Sequence, residues 1–169
     1  MELHSIINYI GYYAPFILFG ISVILLRNML TYLSLFILGF ILNNIVNIAL
    51  KLFIKEPRPT KDQKAIEIGI TNGARIGFDK FGMPSAHAQN CAYCLSYIFF
   101  TLHNPFVSLS FIVLTILCSF QRYENNNHTL FQILIGLIVG SIVGYSVYLY
   151  GNKVITGNID AKEDDYAPK

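Results

Sequence analysis

Five apolar blocks constrain this chain more than any other feature. They run about Ile6–Leu26, Met29–Leu50, Ala86–Leu102, Pro105–Phe120 and Leu130–Tyr150. Crossing a bilayer takes about 20 predominantly apolar residues, with a range of about 17–25. The first, second and fifth blocks reach that length alone, while the third and fourth need flanking residues. The pattern predicts an all-α integral membrane bundle of about five transmembrane helices. Composition agrees: 54% of the residues are hydrophobic and 13% charged, against about 25% charged in an average soluble domain. A chain of 169 residues makes one domain. The membrane-embedded part is expected over residues 1–153, followed by a flexible polar tail over 154–169 that contains Asp160, Glu163, Asp164 and Asp165. No cleavable signal peptide is expected, since Glu2 and His4 stand where a basic segment would and the apolar run is too long.

Several features carry little functional weight. The formal net charge of +2 says little about partners, and nothing calls for nucleic acid. Cys91, Cys94 and Cys118 all fall inside apolar blocks. Cys91-Ala-Tyr-Cys94 matches a redox pattern, but thiols buried in apolar surroundings are poor nucleophiles, so helix packing is the expected role. The first block shows no chemistry. Gly136, Gly140 and Gly144, spaced by four, predict a close helix–helix contact. No cluster of carboxylates or histidines has metal-ligand spacing, so neither a metal nor another cofactor is expected.

Three polar clusters stand at block ends. In the second block Asn43, Asn47 and Lys51 form a stripe on one face, which either glues helices or lines a site. Pro57 and Pro59 then end the helix and fix Arg58 on an extended turn near Lys51. Two fixed cations there suit a phosphate or anchor the helix to lipid headgroups. Thr60–Gly82 is the one sizeable polar connection, a lid or a surface loop. Pro84-Ser85-Ala86-His87 leads into the third block, where a helix N-terminus offers unpaired N–H groups to an anion. His87 is either interfacial or catalytic. Arg122-x5-His128-x3-Gln132 opens the fifth block, with His128 and Gln132 on one helical face.

An even number of crossings separates these clusters, so all three lie at one face of the membrane. Together they make a composite phosphate site. Lys51, Arg58, Arg122 and the N–H groups near Ser85, Ala86 and His87 would surround a phosphoryl group, and two histidines permit a double displacement. At a membrane surface the substrate expected is a phosphate ester or diphosphate with a lipid tail.

These residues resemble the type 2 phosphatidic acid phosphatase superfamily, whose motifs are K-x6-R-P, P-S-G-H and S-R-x5-H-x3-D. Here they read Lys51-x6-Arg58-Pro59, Pro84-Ser85-Ala86-His87 and Gln121-Arg122-x5-His128-x3-Gln132. Ala86, Gln121 and Gln132 depart from Gly, Ser and Asp. The sequences Glu56-Pro57-Arg58-Pro59, Gly82-Met83-Pro84-Ser85-x-His87-Ala88-Gln89 and His128-Thr129-x2-Gln132 are similar to the dolichyldiphosphatase branch, which makes Gln132 a marker of that branch. The resemblance implies a phosphatidic acid phosphatase type 2/haloperoxidase-like core. It implies His128 as nucleophile, His87 as general acid, and Gln132 as the residue that orients His128. Lys51, Arg58, Ser85, Ala86 and Arg122 would bind phosphate. The partners it implies are the lipid bilayer and a polyprenyl diphosphate. If orientation is the role of Gln132, its replacement by Asp should leave activity intact or raise it.

Orientation is not set by charge. The face holding the site carries eight Lys and Arg and the other face four, and without Lys51, Arg58 and Arg122 the comparison is five against four. The resemblance implies the lumenal face of the endoplasmic reticulum. Asn127-His128-Thr129 is a formal glycosylation sequon whose middle residue is the expected nucleophile, which argues against its use. Two other functions fit the residues: a phosphatidate-type phosphatase, and a non-catalytic lipid-phosphate binder.

Overall fold

Each helix boundary follows from a local break in the sequence. A computed structural model describes residues 2–59, 70–71, 74–75 and 77–159. Within it lie α1 (Glu2–Leu26), α2 (Leu30–Ile54), α3 (Ala86–Leu102), α4 (Pro105–Glu124) and α5 (Leu130–Ile159). The α2 helix closes at Lys55, which turns left-handed (φ 53°) and donates its N–H to the Lys51 carbonyl at 3.0 Å. Pro57 follows and forbids another turn. Asn104 caps α4 by accepting from the N–H groups of Phe106 and Val107, with Pro105 at the first helical position. Between α2 and α3 the described residues hold a two-residue antiparallel ladder (Ile70–Thr71 with Ala74–Arg75) and a 3-10 turn at Gly77–Lys80.

Among the described residues four helices are long and apolar enough to cross a membrane: Ser5–Leu26, Leu30–Ile54, Pro105–Glu124 and Leu130–Ile155. The fourth block reaches that length by continuing to Glu124. The 17-residue α3 is the exception. It packs against all four other helices, and ten of its residues are buried. Shielded from lipid, it can carry Gln89, Asn90 and Ser96 where a lipid-facing span could not. It still traverses the bundle, since it departs from the end where α2 stops and α4 returns. The helix α5 runs six residues past 153, and the acidic residues from Asp160 onward lie outside the described residues.

The bundle is apolar outside, and its interior carries polar side chains beside a hydrophobic core. Leu38, Ile116, Phe131 and Ile142 are exposed on the outer faces, whereas Asn43, Asn47, Lys51, Gln89, Arg122 and Gln132 are buried. The stripe on α2 turns out to bind α3. Asn43 Nδ2 donates to Asn90 Oδ1 at 2.7 Å, Asn47 Nδ2 donates to Gln89 Oε1 at 2.7 Å, and Gln89 Nε2 returns a bond to Asn43 Oδ1 at 2.9 Å. Asn43, Gln89 and Asn90 each donate and accept, and Asn47 Nδ2 also donates to the Pro84 carbonyl at 3.3 Å, so the network ties the two helices together. Cys91, Cys94 and Cys118 are buried and unbridged in the packed interior.

Helix α5 meets α3 through the predicted glycine seam. A Cβ added at Gly136 would stand 2.7 Å from the Ser85 carbonyl oxygen, and one at Gly144 would stand 2.7 Å from that of Tyr93. At Gly140 the Gln89 carbonyl is closer still. Both sides are helix backbone, which cannot step aside as a side chain can. Gly140→Ala is therefore expected to cost about 1–3 kcal/mol, read as a lower melting temperature in detergent. Gly20→Ala, with nothing within 4 Å of the added carbon, should change stability by less than about 0.5 kcal/mol.

Candidate active site

The three predicted clusters meet at one end of the bundle. Lys51, 1% exposed at the last turn of α2, lies 3.6 Å from Asp79 Oδ1. Arg58, on the turn after α2, makes a fan of contacts. Its Nη2 pairs with Asp79 Oδ1 at 2.7 Å, its Nε donates to the Asp79 carbonyl at 3.0 Å, and one Nη1 reaches both the Asn127 carbonyl (3.3 Å) and His128 Nε2 (2.8 Å). Arg122, at the end of α4, is 1% exposed. Gln121 Oε1 accepts from its Nε at 2.8 Å, Tyr12 lies under its guanidinium at 5.5 Å, and its Nη1 stands 3.4 Å from His87 Nδ1.

The turn between α4 and α5 sets His128. Asn126 adopts a left-handed φ of 52°, and the N–H groups of Asn127 and His128 both return to the Arg122 carbonyl, at 3.1 and 3.2 Å. That doubling back holds Arg122 and His128 in one compact unit. The His128 ring is buried between two opposite demands. Nδ1 faces the Gly82 carbonyl at 2.8 Å and Gln132 Oε1 at 3.2 Å, both acceptors, so Nδ1 carries the proton. Nε2 faces an Arg58 donor, so Nε2 presents its lone pair. A nucleophile aimed at an anion bound by Arg58 needs this tautomer. Burial pushes the His128 pKa well below its usual value of 6.5, and the nearby charges of Arg58, Lys51 and Arg122 add to the shift.

Ser85 and Ala86 open α3 at the same place. Ser85 is the helix's N-cap residue; its N–H donates to the Gln132 carbonyl at 3.0 Å, and its buried hydroxyl has no hydrogen-bond partner among the described residues. The first turn of a helix directs its N–H groups outward, which adds donors where three cations converge. The Arg122 contact makes His87 Nδ1 the acceptor and leaves the proton on Nε2. All eight predicted site residues are thus at one end of the bundle. Asn127 of the sequon is buried, which removes it from a glycosylating enzyme's reach.

Three contributors escape sequence reading. Asp79, in the connection expected to be a lid or a loop, bridges Lys51 and Arg58. Glu56 accepts from Gln132 Nε2 at 2.7 Å. The first helix is not chemically silent: Tyr12 faces both Arg122 and His87, whose ring lies 5.6 Å from it. Glu56 was visible as part of a motif but without a role, whereas nothing in the apolar run around Tyr12 marks it out. Among the described residues no group of three His, Cys, Asp or Glu side chains converges as metal ligands would.

The sequence profile of the PAP2 superfamily matches residues 32–155, and the chain belongs to that superfamily. Dolichyldiphosphatase of Saccharomyces cerevisiae is 29% identical over 122 residues, covering 66% of this chain and 48% of that protein. Human dolichyldiphosphatase 1 is 25% identical over 168 residues, covering 89% of this chain and 66% of that protein. The chain therefore spans about half the length of the yeast relative and about two thirds of the human one. The fold is similar to that of a PAP2-type phosphatidylglycerolphosphate phosphatase from Bacillus subtilis, with a TM-score of 0.56 and 18% identity over 90% of this chain and 88% of that one.

The tautomer and the depressed basicity of His128 are directly measurable. In protein labelled with 15N in its imidazoles, with His128→Asn to assign the signal, the Nδ1–H pattern should persist at pH 6. An imidazolium pattern for His128 at pH 6.5 would contradict the geometry.

Proposed function

We propose that this protein is a lipid diphosphate phosphatase that removes the terminal phosphate of a polyprenyl diphosphate such as dolichyl diphosphate, through a phosphohistidine on His128. The observation that carries this reading is the His128 Nε2 lone pair held 2.8 Å from an Arg58 donor, with Lys51 beside the same carboxylate that Arg58 binds. A phosphoryl group drawn to these cations stands beside that lone pair. The similarity to proteins named dolichyldiphosphatase supports the substrate class. The proposed location of the site is the lumenal face of the endoplasmic reticulum, where released carrier lipid would re-enter N-glycosylation.

The steps follow from the tautomers. Nε2 attacks the terminal phosphorus, and the anhydride P–O bond breaks toward the lipid monophosphate. Lys51, Arg58, Arg122, the Ser85 hydroxyl and the N–H groups at Ala86 carry the charge on the equatorial oxygens. An anion gives Arg122 a better acceptor than His87 Nδ1. That nitrogen can then take a proton, and the imidazolium donates from Nε2 to the departing oxygen. Water next attacks the phosphohistidine, His87 accepts its proton, and the N–P electron pair returns to His128. Gln132 and Gly82 hold Nδ1–H throughout. The charge the site supplies comes from its own cations, so turnover is expected to persist with a chelator present.

An apolar cleft of about 400 Å³ lies between α2 and α5, lined by Leu35, Leu38, Leu42, Ile142, Val143 and Tyr150. Leu42 lies about 14 Å along α2 from Lys51 and about half a turn round the helix from it, so the cleft is an apolar surface for lipid chains rather than a continuation of the phosphate site.

Phosphate release from dolichyl diphosphate and from phosphatidate, both with chelator, separates the substrate classes; faster release from phosphatidate would sink the polyprenyl reading. His128→Ala should abolish turnover with helicity and melting retained, and His87→Ala should lower it by about 10²–10⁴-fold. Unchanged turnover in His128→Ala refutes the nucleophile. With that nucleophile neutral well below pH 6.5, the acidic limb of kcat/KM should also lie below pH 6.5. Asp79 competes with the substrate for Lys51 and Arg58, so Asp79→Asn should lower KM several-fold with kcat little changed.

A further inference from the structure

The residue that replaces the superfamily's usual aspartate is an amide, and its orientation is fixed. Gln132 Oε1 accepts from the Thr129 N–H at 3.3 Å and lies 3.2 Å from His128 Nδ1. Gln132 Nε2 donates to Glu56 Oε1 at 2.7 Å and to the Pro57 carbonyl at 2.9 Å. Flipping the amide would set NH2 against two donors and oxygen against two acceptors, so all four contacts demand the same orientation. Gly82 makes room for it: a Cβ there would collide with the Gln132 amide. The chain Glu56–Gln132–His128 is therefore continuous.

We infer that Glu56 is a positioning residue that supplies the negative charge behind the nucleophile, transmitted to His128 Nδ1–H through the Gln132 amide. The carboxylate polarises the amide, which makes Oε1 a stronger acceptor and His128 a better nucleophile. It also stabilises the positive ring formed when Nε2 is phosphorylated and Nδ1 keeps its proton. Glu56 neither touches substrate nor moves a proton. The other charged and titratable groups facing His128 are Lys51 on α2, Arg58 on the turn after it, His87 on α3 and Arg122 on α4. Asp79, on the 3-10 turn, is already bound to Lys51 and Arg58. Glu56 thus brings the one carboxylate joined to the Nδ1 side of the ring among the described residues.

This geometry reverses the expectation for Gln132→Asp. A carboxylate at 132 would face that of Glu56 and the Pro57 carbonyl, so activity should fall in the otherwise unchanged protein.

The inference rests on His128 as nucleophile, and the test separates the two. In full-length protein with dolichyl diphosphate, Glu56→Gln keeps a side chain of the same shape without the charge. It should lower kcat about tenfold, leave KM within about twofold, and move the acidic limb of kcat/KM down by about one pH unit. Gln132→Glu alone should also lower kcat. The double variant Glu56→Gln with Gln132→Glu exchanges carboxylate and amide, so every hydrogen bond finds a partner. It should regain most of the lost kcat and return the acidic limb at least to its original pH. An unmoved limb in Glu56→Gln, or a double variant no better than the worse single one, overturns the role of Glu56. Should Glu56→Gln not fold, the limb of the double variant decides: a limb below that of the unchanged protein overturns it. If His128→Ala retains turnover, the nucleophile reading fails instead.

Discussion

Three cationic side chains buried at one end of a helical bundle are costly unless other groups answer their charge, and the architecture of this site follows from how each is answered. Lys51 and Arg58 share the Asp79 carboxylate. Arg122 has the Gln121 side-chain amide oxygen on one side and the Tyr12 ring below it. Arg58 also spends a donor on His128 Nε2. The cations are thereby held in place before an anion arrives, which is the electrostatic condition for binding one without rebuilding the site.

Geometry at the site is inherited from backbone packing deeper in the bundle. The glycine seam lets α5 approach α3 until helix backbone touches helix surface. Its first member, Gly136, sits against the Ser85 carbonyl, one turn after Gln132. The Ser85 N–H reaches the Gln132 carbonyl across the same contact. The start of α3 is thus tied to the helix that carries the Gln132 amide. The Asn43, Asn47 and Gln89 network fixes α2 to α3 in turn, so Lys51 cannot drift from Ser85 without breaking paired amides.

Much of this was legible in the sequence because membrane chains write their constraints plainly. Apolar blocks locate helices, Pro57 and Pro59 locate the end of the second, and counting crossings brings Lys51, Ser85 and His128 to one face. The shortness of the third block was legible, but its consequence was not: a helix surrounded by four others needs no lipid-facing surface, and hydropathy cannot register that. Tyr12 was invisible because an aromatic in an apolar span reads as lipid-facing until its neighbour is known. Asp79 belongs to a connection whose path no periodicity reports. Glu56 is the instructive case. Its position was conspicuous, yet its role depends on which way an amide 76 residues later is turned, and only the four contacts around Gln132 fix that.

An amide at 132 also changes where negative charge stands relative to the phosphate. A carboxylate bonded directly to His128 Nδ1 would favour the imidazolium and set its own charge close to the incoming anion. With the amide between, the formal charge of Glu56 lies about one side chain further away, and the His128 ring stays neutral with its lone pair available. In the proposed mechanism the cost is weaker support for a phosphorylated ring, and the gain is a more positive site around Lys51, Arg58 and Arg122. A diphosphate brings more negative charge than a phosphate monoester, and that charge meets the cations whether or not it sits on the phosphorus under attack. Moving the carboxylate back by one amide is therefore the arrangement expected when the substrate is the more anionic of the two.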